Sequence, residues 1–574
     1  MRVLRRSVGS PVSWAATAVF VTLMVLWTIV TPNFRNPDEP AHVNSVLRLA
    51  EGGGWPAAGN AWMLPQVLRA KTLTGFSAFD GQQGPWVGGT LLPGVRKTTP
   101  ASDLKYYALY SQRPMTSPRQ RLPFPDLTVT RPVPAKANGD QMTQHPPLYY
   151  AVEAAVVRGS GALGWPFDRT LTLMRLVSVA MVGLLPLMAF SVTRRLTGNR
   201  RLADLSAVLP LAIPQLASLG GSVTNDALVI LLGGLSTVLF ARVLTGDRSW
   251  RTLILIGLTL GLGLFTKGTL LALVPVVGVI VMVGARRAFG ASPPLPWRAT
   301  LVRLAAVWGV AFVVGGWWWA LNLVRYHTVQ PAGLVIVPAP DINGVRVRSS
   351  FLEFTGIFWQ RVTGTFWGTF GQLELPLNQA VVAVLTIVLI VAVLLGFRRR
   401  ESRLPLAALL SFFLLTGFGV FLQTYLAHLD NGRYAGLQGR YLFGGLVAVF
   451  AAAAIGLGSL GREGGPLQRW LPVIALPLVL ASAAYGLRVA FYGFYVDEGW
   501  TARQGWARML DWSTAPAVAG PGLVAAVALL SLVAFALAVR AAVRRPPIVE
   551  DAASAGSGAS RAVPETAVVG AGPR

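Results

Sequence analysis

The chain has 574 residues, 53% hydrophobic and 13% charged, with no cysteine and a formal net charge of +26. A soluble domain carries about 25% charged residues, so this composition excludes a water-soluble protein of this size. The missing thiols exclude disulfides, iron–sulfur clusters, thiolate zinc sites and a lipoprotein anchor. The charge does not point to nucleic acid. The arginines sit in short groups at the ends of apolar runs, which is the positive-inside pattern of membrane proteins, and anionic headgroups account for them.

The first apolar run, 14–30, follows Arg2, Arg5 and Arg6. Thr31-Pro32-Asn33 offers no small-x-small cleavage pattern, so the run reads as an uncleaved first span with residues 1–13 in the cytoplasm. Later apolar runs approach the roughly 20 residues needed to cross about 30 Å of hydrocarbon. Basic clusters order them: Arg194 to Arg201, Arg242 to Arg251, Arg286 with Arg287, Arg398 to Arg403, Arg462 with Arg469, and Arg540 to Arg545. Between successive clusters the chain must go out and return. That parity predicts twelve spans, near 14–30, 171–193, 203–223, 226–242, 252–266, 268–285, 303–324, 377–396, 404–427, 440–460, 471–492 and 518–539, with both termini cytoplasmic. The stretch 252–285 must cross twice, so its halves are short or broken around Lys267. The apolar stretch 146–160 is by parity a half-span or an interfacial helix. The competing reading makes it a thirteenth span with an error elsewhere.

The expected fold class is therefore an all-α polytopic, multi-pass membrane protein of about 12–13 transmembrane helices. A long first extracytoplasmic loop, 31–145, precedes a bundle over 146–545 with outer loops 325–376, 428–439 and 493–517. The tail 546–574 is rich in Ala, Gly, Ser and Pro without periodicity and reads as disordered cytoplasm.

Chemistry-bearing residues gather at the outer ends. Asn36-Pro37-Asp38-Glu39-Pro40-Ala41-His42 opens the first loop with two adjacent carboxylates and a histidine. Carboxylates beside low-dielectric lipid tend toward raised pKa values, which suits a general base; a solvated acidic turn is the competing reading. Gln144-His145-Pro146-Pro147-Leu148-Tyr149-Tyr150 closes the loop, with prolines stiffening re-entry and a tyrosine pair of the kind found at membrane interfaces. Gly432-Arg433-Tyr434 and Gly439-Arg440-Tyr441 lie seven residues apart. Arginines at an outer helix end run against the positive-inside bias. They suit a phosphate, which guanidinium binds bidentately, or they snorkel. Lys267, in Thr266-Lys267-Gly268, is functional by default in so apolar a neighbourhood, or it too snorkels. Asp226, in Thr224-Asn225-Asp226, reads as a helix N-cap. Phe366-Trp367-Gly368-Thr369-Phe370-Gly371-Gln372-Leu373-Glu374 reads as an interfacial aromatic belt with one carboxylate. All four histidines, His42, His145, His327 and His428, fall on the predicted outer side. Imidazole and carboxylate are ordinary ligands of divalent metals, but no His-x-x-x-His spacing supports such a site. No cofactor is implied, and a divalent metal is left open.

This ordered set of motifs, over roughly residues 14–500, resembles the bacterial membrane family DUF2142, which is grouped with the GT-C superfamily of membrane glycosyltransferases. The resemblance implies a GT-C-like bundle in a bacterial plasma membrane. It implies an enzyme of the EC 2.4 class that transfers a sugar from a polyprenyl-phosphate donor to a cell-envelope glycan or protein on the extracytoplasmic side. On that footing Asp38 is the first candidate base, with Glu39 its competitor or helper. Arg433, Arg440 and Lys267 would hold the donor phosphate, and His42, His145, Tyr149, Glu374 and Tyr441 would line the substrate site. Two other classes compete: a lipid or polysaccharide flippase, and a non-catalytic envelope-assembly protein. No internal repeat of the kind transporters favour is seen.

Overall fold

The computed structural model describes residues 9–74, 116–117, 120–127, 139–287, 293–334, 348–496, 499–514 and 518–544. The chain is an all-α polytopic membrane protein. Among the described residues, ten helices are long and apolar enough to cross a bilayer: Pro11–Val30, Phe167–Thr197, Asp226–Leu244, Gly268–Arg286, Trp297–Tyr326, Gln379–Arg398, Arg400–Asn431, Gly439–Gly458, Pro466–Tyr495 and Ala519–Val543.

Ten of the twelve expected spans are among these, and the expected count of 12–13 is corrected at the other two. The run 203–223 is not one straight helix. Arg200–Ala212 and Pro214–Gly220 meet at 75° and together make at most an eleventh span. Pro210 and Pro214 remove two backbone donors within five residues, and that breaks the ladder. The run 252–266 forms Trp250–Leu264, only 15 residues, or about 22 Å at 1.5 Å per residue. It falls short of the hydrocarbon thickness, as the crowding around Lys267 suggested. Lys267 itself is extended, with φ −160°. Leu148–Gly159 has 12 residues, about 18 Å, and is not a full span.

Contacts bring arginine-bearing helix ends together, Arg195 with Thr245, Arg201 with the Arg544 carbonyl and Arg248 with the Arg287 carbonyl. They bring the chemistry-bearing turns together separately, Asp38 with Arg440 and Asp226 with Lys267. The surface confirms the lipid environment: Ile387, Leu394, Leu414, Phe418, Leu478, Leu529 and Leu532 all stand exposed. At the centre lies Leu446–Gly458, whose alanines are buried throughout. Small residues permit close backbone approach here. A Cβ on Gly233 would sit 2.4 Å from the Gly444 carbonyl oxygen.

The first loop contributes Glu39–Ala50 and Pro65–Leu73. The second contributes Phe351–Trp367, and the third Ala502–Trp512. Between Phe351–Trp367 and the next span, Thr369–Phe370 pairs antiparallel with Leu375–Pro376. The aromatics here do not form an interfacial belt. Phe366, Trp367 and Phe370 are buried, with Phe370 4.8 Å from the Trp27 ring and Phe366 5.4 Å from Phe443. Tyr149 and Tyr150 are likewise fully buried rather than interfacial. In both places helix packing removes the rings from the lipid boundary. The tail 546–574 lies outside the described residues, as does much of the first loop.

Candidate active site

The two adjacent carboxylates diverge because Glu39 opens the helix Glu39–Ala50 while Asp38 stands before it. Glu39 is fully buried. Arg175 donates to it twice, Nε to Oε1 at 2.8 Å and Nη2 to Oε2 at 2.7 Å. The same guanidinium donates to the carbonyls of Thr28, Thr31 and Pro32. Asp38 turns the other way. It holds a left-handed backbone, φ 59° and ψ 4°, just before the helix. Its side chain is 33% exposed. Its Oδ1 accepts from Gln141 Nε2 at 3.1 Å and its Oδ2 from Arg440 Nη2 at 2.5 Å.

Arg440 opens a chain of alternating charge. Its Nε lies 3.6 Å from Asp226 Oδ2, and Lys267 Nζ donates to Asp226 Oδ1 at 2.5 Å. Lys267 and Arg440 both face the Tyr441 ring, at 4.9 and 5.6 Å from its centroid. These two cations are buried and paired, so neither is a snorkelling side chain. Arg440 Nη1 has no hydrogen-bond partner among the described residues.

The group lines a cavity of about 920 Å³ at the loop end of the bundle. Asp38 is the one carboxylate on its wall among the described residues; Lys267, Arg361 and Arg440 are its cations, and His42 and His145 its imidazoles. His42 Nδ1 is 3.0 Å from the Tyr150 hydroxyl. Burial, reinforced by Lys267 and Arg440, holds His42 well below its ordinary pKa. Burial and the Lys267 charge push His145 down to about 3. Both rings are therefore neutral at pH 7. His145 Nδ1 is buried with no partner among the described residues.

Four expected site residues lie elsewhere. Glu39 is sealed behind Arg175. Glu374 is buried against Arg35, Nε to Oε1 2.6 Å, and burial raises its pKa. Arg433 is half-buried off the cavity wall, where its N–H donates to Asn431 Oδ1 at 2.9 Å. Tyr149 is packed inside, its hydroxyl accepting from the Thr224 N–H at 2.9 Å and meeting Ser178 Oγ at 3.1 Å. Glu39 accepts from the Val223 N–H at 3.2 Å. Tyr149 and Glu39 thus position the turn that presents Asp226.

Arg361 stands on the cavity wall where Arg433 was expected. It donates to the Tyr434 carbonyl at 2.9 Å and sits 5.6 Å from that ring's centroid. Its place in an aromatic-rich run disguised it. Gly432 and Gly439 serve different ends. Gly432, at φ 74°, terminates Arg400–Asn431 in the left-handed region. A Cβ on Gly439 would meet the Val362 carbonyl oxygen at 2.3 Å. Among the described residues no group of three or more His, Asp or Glu is arranged to hold a metal ion. Asp38 and Asp226 already face Arg440 and Lys267.

The family model described as "Predicted membrane protein (DUF2142)" matches residues 21–449. The chain belongs to the DUF2142 family. No curated protein matches it. Among solved structures, this DUF2142 chain is similar to ArnT from Cupriavidus metallidurans bound to undecaprenyl phosphate, at 14% identity over 92% of this chain and 76% of that one, with a TM-score of 0.43. It is also similar to the Archaeoglobus fulgidus oligosaccharyltransferase in complex with zinc and sulfate, at 14% identity over 60% of this chain and 44% of that one, with a TM-score of 0.32. A third is AglB from the same archaeon with an inhibitory peptide and a dolichol-phosphate, at 13% identity over 60% and 48%, with a TM-score of 0.32. The DUF2142 chain spans less than half the length of either oligosaccharyltransferase chain.

Proposed function

We propose that this DUF2142 protein is a GT-C-type glycosyltransferase that moves a sugar from a polyprenyl-phosphate donor to a hydroxyl of a cell-envelope acceptor, on the extracytoplasmic side of the plasma membrane. The observation that carries the reading is one cavity, at the loop end of a membrane bundle, on which a partly open carboxylate, an arginine and a lysine converge.

In the proposed step the acceptor oxygen bonds to the anomeric carbon as the carbon–oxygen bond to phosphate breaks. The bonding pair leaves with the phosphate oxygen, and the acceptor proton passes to Asp38. Positive groups fixed where negative charge develops lower such a barrier. Lys267 and Arg440 would hold that position beside the phosphate. General-base catalysis contributes about 10²–10⁴-fold, so Asp38→Asn is expected to cost that much of the turnover.

The test uses purified protein in nanodiscs with radiolabelled polyprenyl-phosphate sugars. Sugar release or transfer that falls in Asp38→Asn supports the reading. Movement of intact lipid between leaflets without sugar release would make the protein a flippase. Undiminished transfer in Asp38→Asn would remove the base assignment.

A further inference from the structure

The cavity wall has an unusual composition. The chain contains sixteen glutamines, and seven of them line this cavity, where an even spread over 574 residues would place about one among its 36 lining residues. Gln141 holds Asp38. The other six come from separate elements: Gln144, Gln330, Gln360, Gln379, Gln423 and Gln438. Gln438 Oε1 is buried with no partner among the described residues. Gln360, Gln379 and Gln423 are exposed, and their amides make no hydrogen bond to protein among the described residues. Gly364, Gly419 and Gly436 share this wall, and a Cβ at Gly419 would meet nothing within 4 Å. The wall is roomy and rich in amides that its own fold does not use.

A side-chain amide presents an acceptor oxygen and a two-hydrogen donor side by side. A sugar hydroxyl is both donor and acceptor, so amides and vicinal hydroxyls pair without net charge. Arg440 and Lys267 face Asp38 and Asp226, and Arg361 donates to the Tyr434 carbonyl and faces that ring, so each cation of the cavity already has a partner in the fold. An extended peptide would need a row of main-chain N–H and C=O groups to pair with. Gln360 and Gln423 stand on the helices Phe351–Trp367 and Arg400–Asn431, Gln379 opens Gln379–Leu395 and Gln438 precedes a short helical turn, so side-chain amides rather than one strand edge carry these four positions. The volume, about 920 Å³, is at the upper end of the roughly 300–1,000 Å³ of small-molecule sites and has room for a second ligand beside a donor headgroup.

We propose that the acceptor held in this cavity is a neutral, polyhydroxylated glycan chain, bound by the amides of Gln360, Gln379, Gln423 and Gln438. The proposal rests on the transferase reading for its biological meaning but not for the binding itself. The attacking hydroxyl is one of the glycan's own, and its proton goes to Asp38 as the sugar–phosphate bond breaks.

The test is saturation-transfer NMR on the full chain in nanodiscs, with a panel of neutral gluco-, galacto-, manno- and arabino-oligosaccharides. Acidic oligosaccharides and a neutral peptide serve as competitors. At least one neutral oligosaccharide is expected to bind, with affinity reduced tenfold or more in Gln360→Leu/Gln423→Leu. Both glutamines are exposed, so the double variant is expected to keep the parent's gel-filtration profile and melting temperature. Failure of every neutral oligosaccharide to bind, indifference to the double variant, or preference for the peptide or the acidic sugars would each overturn the proposal. The two readings fail separately. Asp38-dependent release of sugar from a lipid donor without oligosaccharide binding sinks only the glycan assignment, and oligosaccharide binding without donor turnover sinks only the transferase.

Discussion

Neutralising Asp38 and Glu39 one at a time separates two carboxylates that sequence cannot tell apart. Glu39 is fully buried and meets Arg175, itself 1% exposed, through bonds of 2.8 and 2.7 Å. Removing one partner of a buried pair typically costs about 3–5 kcal/mol, because the surviving charge is stranded. Arg175 keeps three backbone carbonyls as acceptors, so Glu39→Gln should fall at the lower end, about 3 kcal/mol. Mid-sized domains lose about 2–4 °C per kcal/mol. Taking roughly half that sensitivity for a chain of this size, the melting temperature should drop by about 3–6 °C. Glu39→Gln/Arg175→Met removes both charges and should recover most of the loss. Asp38→Asn keeps an amide oxygen for Arg440 but leaves that buried guanidinium with Asp226, at 3.6 Å, as its counter-charge. Because Asp38 itself is partly open, the melting temperature should fall by less than in Glu39→Gln, while turnover falls. Intrinsic-fluorescence melting in one detergent measures all four proteins. If Asp38→Asn destabilises as much as Glu39→Gln, the division between a structural and a reactive carboxylate is wrong.

Lys267→Met leaves buried Asp226 with Arg440, at 3.6 Å, as its counter-charge and a 3.5 Å hydrogen bond from Thr224 Oγ1, so it should destabilise by about 3 kcal/mol; adding Asp226→Asn should recover part of that in the same melting assay. The folded state keeps His145 neutral down to about pH 3, against an ordinary value of 6.5. The unfolded chain therefore binds more protons between those values, and stability is full above pH 6.5 and falls as pH drops, by about 1.4 kcal/mol per unit from this residue. His145→Gln should flatten a melting-temperature profile taken from pH 7 to 5. Gly439→Ala sets a Cβ against the Val362 carbonyl and, at 2.6 Å, against Phe366 Cβ. It should cost about 1–3 kcal/mol and weaken donor binding by displacing the turn that carries Arg440, measured as a rise in KM for the lipid donor.

The bundle was largely legible because each crossing needs its own apolar run and each return its arginines. Apolarity reports length but not straightness, so the 75° break at Pro210 and Pro214 passed for a single span although the prolines were in view. The motif residues Asp38, His42, His145, Lys267, Arg440 and Tyr441 lie together on the cavity wall. What local spacing could not reveal was the partner. Arg175 lies 136 positions from Glu39, and Glu374 lies 339 from Arg35. Pairing across such distances decides whether a carboxylate is reactive or sealed. Asp226 was legible only as a helix start, because its role depends on Lys267 and Arg440 arriving from other helices. The glutamines escaped notice because they are scattered from 141 to 438 and belong to no motif.

The left-handed backbone at Asp38 also constrains how this lineage can change. Asn and Gly occupy that conformation readily, whereas a longer or β-branched side chain pays about 1–2 kcal/mol there. Glu, chemically nearest to Asp, is thus the harder replacement, and Asp38→Glu should melt below Asp38→Gly. Drift away from the reaction would run through Asn or Gly, with the turn intact. A relative bearing either residue at this position would mark a descendant that has kept the architecture and given up the carboxylate, a distinction readable from its genome alone.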